Sequence, residues 1–257
     1  MRIIDRLMER AELRIPDGQP VEISEECDIQ KLVEVANEYL DMEIKLAFQL
    51  NPEKCFDFGR KMRRKYSVTL REVEEFVNST VYDVLEKRAG EIRDLLCHQF
   101  YENYLGYFVS GLYHDIIRDK TLSLSPKLPR LLAHSRVGLR WGFGYRHPGG
   151  NLIISGYAGG YLGEKMENGK IIVTGYTGDK VGFGMRGGEI LIKGNVGWRL
   201  GDSMKGGRII VFGNAGQFVG IDMEGGVIKI KGDVTSFGPR KGGEIFVWEE
   251  EGWKRVE

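Results

Sequence analysis

The chain has 257 residues, with 37 Lys and Arg set against 37 Asp and Glu, so its formal net charge is zero. That length allows one or two domains of roughly 150 residues and a core that needs no disulfide staples, and the charge balance excludes a histone-like or polybasic membrane role. The three cysteines, Cys27, Cys55 and Cys97, show neither C-x-x-C spacing nor a disulfide framework, and no apolar run approaches the roughly 18 residues of a membrane span; the expectation is a cytoplasmic protein with reduced thiols and no membrane contact.

Residues 1–27 predict a strand pair around Pro16-Asp17-Gly18, with Leu13, Ile15, Val21 and Ile23 alternating on either side. From Asp28 the period changes. Leu32, Val33, Ala36, Leu40, Ile44 and Ala47 predict an amphipathic helix that ends near Asn51-Pro52. Arg60, Lys61, Arg63, Arg64 and Lys65 form the one dense basic run; beside Phe56 and Phe58 it is either a grip for a phosphate or an acidic partner, or a solvated helix face. Thr69-Leu70-Arg71-Glu72 has the form of a capping box, followed by Val73, Phe76, Val77, Val81, Val84 and Leu85 on one stripe. After Gly90, the positions from Ile92 through Leu105, Phe108, Leu112 and Ile116 carry a helix to about Asp119, which Ser125-Pro126 and Leu128-Pro129 then break.

On that last helix Asp94, His98 and Glu102 share a face, a spacing compatible with a metal or an acid/base site; a structural histidine is the bland alternative. His114 lies about 160° round the same helix and cannot share an ion with His98.

Glycine then marks a break: 28 of the 36 lie in 149–257. The second glycine of a Gly-Gly or Asn-Gly pair recurs at Gly150, Gly169, Gly188, Gly207 and Gly226, a 19-residue period, with further columns starting at Gly156, Gly159 and Gly163. A degenerate copy precedes the set, with Phe143, Gly144 and His147 where Leu162, Gly163 and Met166 stand later. One alternating strand per period predicts a parallel β-helix, so the chain divides into a mainly helical part, 1–130, and a β-helix, 131–257. Its glycines mark corners with positive φ, Gly197 among them, or close backbone approach. Ile171 and Val173, Ile190 and Ile192, Ile209 and Val211, and Ile228 and Ile230 should stack inward, with Leu162, Val181, Leu200 and Val219 closing another side. Ile153, Ile172, Leu191 and Ile210 should face outward, and such a column needs a cover, either the N-terminal helices or a partner. Met166, Met185, Met204 and Met223 fall in register and read as core, though a thioether column could hold a soft ion. Gly182-Phe183-Gly184-Met185-Arg186-Gly187 matches G-x-G-x-x-G, but a strand follows where a dinucleotide fold needs a helix, so the repeat accounts for its glycines.

The run Gly201-Asp202-Ser203-Met204-Lys205-Gly206-Gly207-Arg208-Ile209-Ile210-Val211-Phe212-Gly213-Asn214-Ala215-Gly216 resembles the GXGXG family, which includes the β-helical component of formylmethanofuran dehydrogenase and the C-terminal domain of the large glutamate synthase polypeptide. The resemblance spans about 149–243. It implies a right-handed β-helix with no catalytic residue and no cofactor of its own, serving as a scaffold for a larger cytoplasmic oxidoreductase subunit that holds the pterin, flavin or iron-sulfur chemistry; a homo-oligomer is the other expected partnership. The helical half matches neither relative. An enzyme or ligand-binding protein with its site between the helices and the β-helix, using His98, His114, Asp94 or Glu102, is the alternative, and nucleic acid is not an expected partner.

Overall fold

The computed structural model describes residues 27–46, 51–88, 104–126, 142–250 and 252–257. N-terminal helices lead into a parallel β-solenoid, an α+β chain. The strand pair expected before Cys27, and the helix expected around 92–96, lie outside the described residues.

Helix α1 (Ile29–Leu46) buries Leu32, Ala36 and Leu40 as the spacing predicts, together with Val35 and Tyr39, while Val33 is only half-buried. Asn51-Pro52 starts the next helix. The Asn51 Oδ1 accepts the Lys54 N–H at 2.9 Å and Pro52 sits at the first turn of α2 (Pro52–Tyr66), where its missing N–H costs nothing. Helix α3 (Leu70–Glu75) opens on the expected capping box: Thr69 Oγ1 accepts the Glu72 N–H at 3.3 Å while Glu72 Oε2 accepts the Thr69 N–H at 2.9 Å. A π-helical turn, Phe76–Thr80, passes into α4 (Val81–Lys87). Helix α5 (Leu105–Ile117) crosses α2 at glycines. A Cβ on Gly59 would stand 2.1 Å from the Phe108 carbonyl oxygen, and one on Gly111 would stand 2.0 Å from that of Phe56, so the two backbones touch.

Each solenoid coil supplies one strand to an eight-stranded sheet: β1 (Thr121–Leu124), β2 (Asn151–Ile154), β3 (Lys170–Val173), β4 (Glu189–Ile192), β5 (Arg208–Val211), β6 (Val227–Ile230), β7 (Glu244–Glu249) and β8 (Gly252–Arg255). Parallel register pairs Asn151, Lys170, Glu189, Arg208 and Val227 in succession, each 19 residues beyond the last. Strand β1 pairs with β2, so the sheet begins on the N-terminal side of the expected boundary at 130/131. The inward ladders are buried as read, as is the second column Leu162, Val181, Leu200 and Val219. Met166, Met185, Met204 and Met223 are buried too, and His147 takes the equivalent place in the first coil. Asn195 and Asn214 form a corner ladder: their side-chain Oδ1 atoms accept the backbone N–H groups of Asn214 and Asp233 respectively, one coil further on, both at 2.9 Å.

Two causes act on the glycine columns, together at positions such as Gly169, where φ is 79° and a Cβ would stand 2.6 Å from the Gly150 carbonyl oxygen. Gly201, at φ 69°, needs the left-handed region; Gly197 does not have a positive φ, which corrects the sequence expectation. Gly197 is glycine because a Cβ there would meet Asp179 Oδ1 at 2.1 Å and the Gly178 carbonyl carbon at 2.8 Å. A solenoid stacks its coils at β-sheet spacing, and where a corner lies flat against the one below there is no room for a side chain.

The edges of β1 and β7 are both engaged. At the first, the β1 edge donates Ser123 N–H to Glu74 Oε1 at 2.8 Å and Ser125 N–H to Asn78 Oδ1 at 2.7 Å. Tyr107 lies over Gly142, and the buried Ser110 hydroxyl accepts the N–H groups of Gly144 and Tyr145 at 3.0 and 3.2 Å. At the other end β8 folds back antiparallel on β7. One continuous apolar core runs from the helices through the coils. Among the described residues no helix is long and apolar enough to cross a membrane.

Candidate functional site

The outward column behaves as two pairs. Ile172 and Leu191 are buried at 1% exposure, while Ile153 and Ile210 are half-buried; with Phe212 they form a small cluster separate from the main core. The described helices do not join it. They pack instead on the end of the solenoid, at β1 and the first coil, where Glu74 meets the β1 edge and Tyr107 packs against Tyr145 with ring centroids 5.2 Å apart.

Asp94, His98 and Glu102 lie outside the described residues. The basic run is taken apart by its surroundings. Arg60 forks onto Asp115 with Nη2–Oδ1 at 3.0 Å and Nε–Oδ2 at 3.3 Å, and Arg64 reaches the same carboxylate at 3.4 Å. Lys65 pairs with Glu38, Lys61 is exposed, and the Arg63 Nε is buried without a partner among the described residues. These five do not converge on a single anion.

What the structure does bring together is the junction of α5, α2 and the first two coils. A cleft of about 440 Å³ is lined there by His114, Asp115, Arg118 and Asp119 from the end of α5, and by the corners Pro148-Gly149-Gly150 and Asn168-Gly169. The end of α5 fits this corner because Gly150 carries no Cβ; one placed there would stand 2.3 Å from the Arg118 carbonyl oxygen and 2.9 Å from that of Ile117. His114 Nδ1 lies 3.1 Å from Asp115 Oδ1, and its ring meets the edge of Phe56 with centroids 5.1 Å apart. Burial opposes ionisation of Asp115, yet the bonds from His114 and Arg60 hold its carboxyl below the usual range.

Beside the cleft, Phe56 also meets Tyr145, whose hydroxyl donates to Glu53, and Arg146 binds Glu53 at 2.9 Å. Burial and the facing Glu53 push the Tyr145 hydroxyl well above its ordinary pKa, while the Tyr145 bond holds Glu53 low. Tyr107 donates to the buried Glu164 at 2.6 Å. This network fastens helices to solenoid. His147, beneath it, is pushed down to about 4 by burial, only partly offset by the Gly150 carbonyl, and its Nδ1 has no partner among the described residues. Among the described residues no three His, Cys, Asp or Glu side chains gather as a metal site.

Sequence reasoning had His114 and missed Asp115, Arg118, Asp119 and Asn168. The available signal was Pro148-Gly149-Gly150, the first corner glycine pair of the repeat, against which the end of α5 packs. No family model matches the chain, and no curated protein matches it either.

Proposed function

We propose that the chain is a non-catalytic scaffold, an assembly subunit or module of a cytoplasmic oxidoreductase complex of the formylmethanofuran dehydrogenase or glutamate synthase type. The observation that carries the reading is the filled solenoid. Aliphatic and Met ladders occupy the coil interior, Glu74 and Asn78 accept from the β1 edge, and β8 pairs with β7. A filled coil interior leaves the sides of the coils as surface that can meet a partner. Those sides carry exposed aromatic rings at Tyr176, Trp198 and Phe218, the residue types that anchor protein interfaces. The GXGXG resemblance supplies the oxidoreductase context and the larger, cofactor-bearing partner.

The test is purification from the native source. A larger protein with bound flavin, iron-sulfur or pterin should accompany the chain through an interface of roughly 1,200 Å² or more, and the chain alone should be colourless. A bare monomer or homo-oligomer that turns over a substrate unaided would overturn the reading.

A further inference from the structure

The junction cleft has a charge pattern that the fold does not use up. Asp115 is already neutralised by Arg60 and Arg64, so it adds no net negative charge to the lining. The Arg118 guanidinium, exposed at the end of α5, has no ion-pair or hydrogen-bond partner among the described residues, whereas Arg60, Arg64 and Arg146 nearby are all engaged. With Nδ1 of His114 held by Asp115, the ring atom left for a ligand is Nε2, fixed in orientation by that bond and by Phe56. Asn168 adds an exposed amide on the facing lip. The lining thus holds one arginine, Arg118, and one carboxylate, Asp119, that have no partner among the described residues.

We propose that this cleft binds a small molecule through one oxyanion group, a phosphate or a carboxylate, with Arg118 as the charged anchor and His114 Nε2 as the second contact. An arginine fork matches either group in two parallel hydrogen bonds, and a planar guanidinium left unpaired beside a cleft is the feature such recognition needs. Asp119 sets the ligand's other end: it repels a second anion and accepts from a hydroxyl or an ammonium group. The cleft volume suits a metabolite rather than a peptide or a nucleic acid. This inference is independent of the scaffold reading, since a bound metabolite is compatible with a scaffold and with an enzyme.

The experiment uses the full chain. Inorganic phosphate and, separately, acetate are titrated while the imidazole resonances of the four histidines are followed by NMR. The His114 signal should shift and saturate with at least one of the two, and which one responds identifies the oxyanion. Arg118→Gln should weaken that binding by about tenfold or more with the thermal midpoint unchanged, because the side chain makes no hydrogen bond or ion pair to the described residues. Lys241→Gln, at the far end of the solenoid, serves as the control and should bind as the parent does. The proposal is overturned if neither anion saturates the His114 shift, if Arg118→Gln binds as tightly as the parent, or if Lys241→Gln weakens binding equally.

Discussion

The helical part and the solenoid fill one continuous core by opposite means. Around α1, α2 and α5 the core is aromatic and irregular: Tyr39 stacks on Phe108 with centroids 4.6 Å apart, and Phe56, Phe76, Tyr107 and Tyr113 are all fully buried. Ion pairs tie these helices together, Arg88 to Asp41, Lys31 to Glu72 and Arg60 to Asp115. The solenoid uses the same few aliphatic positions again in each coil, with its charges in surface ladders such as Lys170–Glu189–Arg208. The difference decides where chemistry can sit. A coil interior packed by neighbouring repeats has no room for convergent polar groups, so the His, Asp, Arg and Tyr side chains collect at the joint, where the repeat meets something unlike itself.

The sharpest way to break the solenoid is at a corner that lies against the coil below. A Cβ on Gly175 would stand 2.2 Å from the Gly156 carbonyl oxygen, whereas one on Gly156 meets nothing within 4 Å and suffers only from its φ of 85°. Gly175→Val should therefore cost more than about 3 kcal/mol, and Gly156→Ala about 1 kcal/mol. Urea midpoints of the two variants measure the gap; equal values would show that backbone conformation, rather than coil contact, fixes the glycine columns.

Next in size is the Met column. Met204 is wholly buried between coils, so Met204→Lys places an ammonium in a dry ladder and should cost several kcal/mol, while Met204→Leu keeps volume and should cost less than about 1.5 kcal/mol. Thermal unfolding of both decides it. A large loss in Met204→Leu would mean that the sulfur itself is needed.

A third test separates the first coil from its copies. His147 stands where the others carry Met, and burial holds its folded pKa near 4 against the ordinary 6.5. Between those values the unfolded chain binds a proton that the folded chain refuses, so stability should fall as pH drops from 6.5 towards 4, by up to about 3 kcal/mol. His147→Met, which restores the column residue, should remove that part of the acid sensitivity. Stability curves at pH 7 and pH 4.5 that stay parallel for the two proteins would refute it.

The solenoid was largely legible because a strict repeat reports its own geometry. Ile171, Ile190, Ile209 and Ile228 point inward as their spacing requires, and Phe143, Gly144 and His147 do begin the series. What the repeat could not report was cause: Gly197 and Gly201 recur with equal regularity, yet only Gly201 has a positive φ, while a Cβ on Gly197 would meet the backbone of the coil below. In the helices the capping box was plain, because its residues touch one another at a spacing of three. The Gly59–Gly111 crossing, the Arg60–Asp115 fork and the junction cleft join residues far apart in sequence, and no local pattern carries such pairs.

The smallest effect on stability probes how the two regions are joined. Glu74 and Asn78 accept the N–H groups of Ser123 and Ser125 at the edge of β1. Burial lifts the Glu74 carboxyl above its ordinary range despite the Ser123 bond, so its net contribution is modest. Ser123 and Ser125 are exposed, and water can replace either acceptor, which puts Glu74→Ala and Asn78→Ala at about 1 kcal/mol each. Their effect on association should be larger than that on stability. A parallel sheet with an uncovered first strand offers a template for another chain, so the double variant should self-associate at concentrations where the parent does not. Light scattering across a dilution series reads this directly. If the double variant keeps the parent's mass throughout, the helices themselves, and not these two side chains, guard the edge.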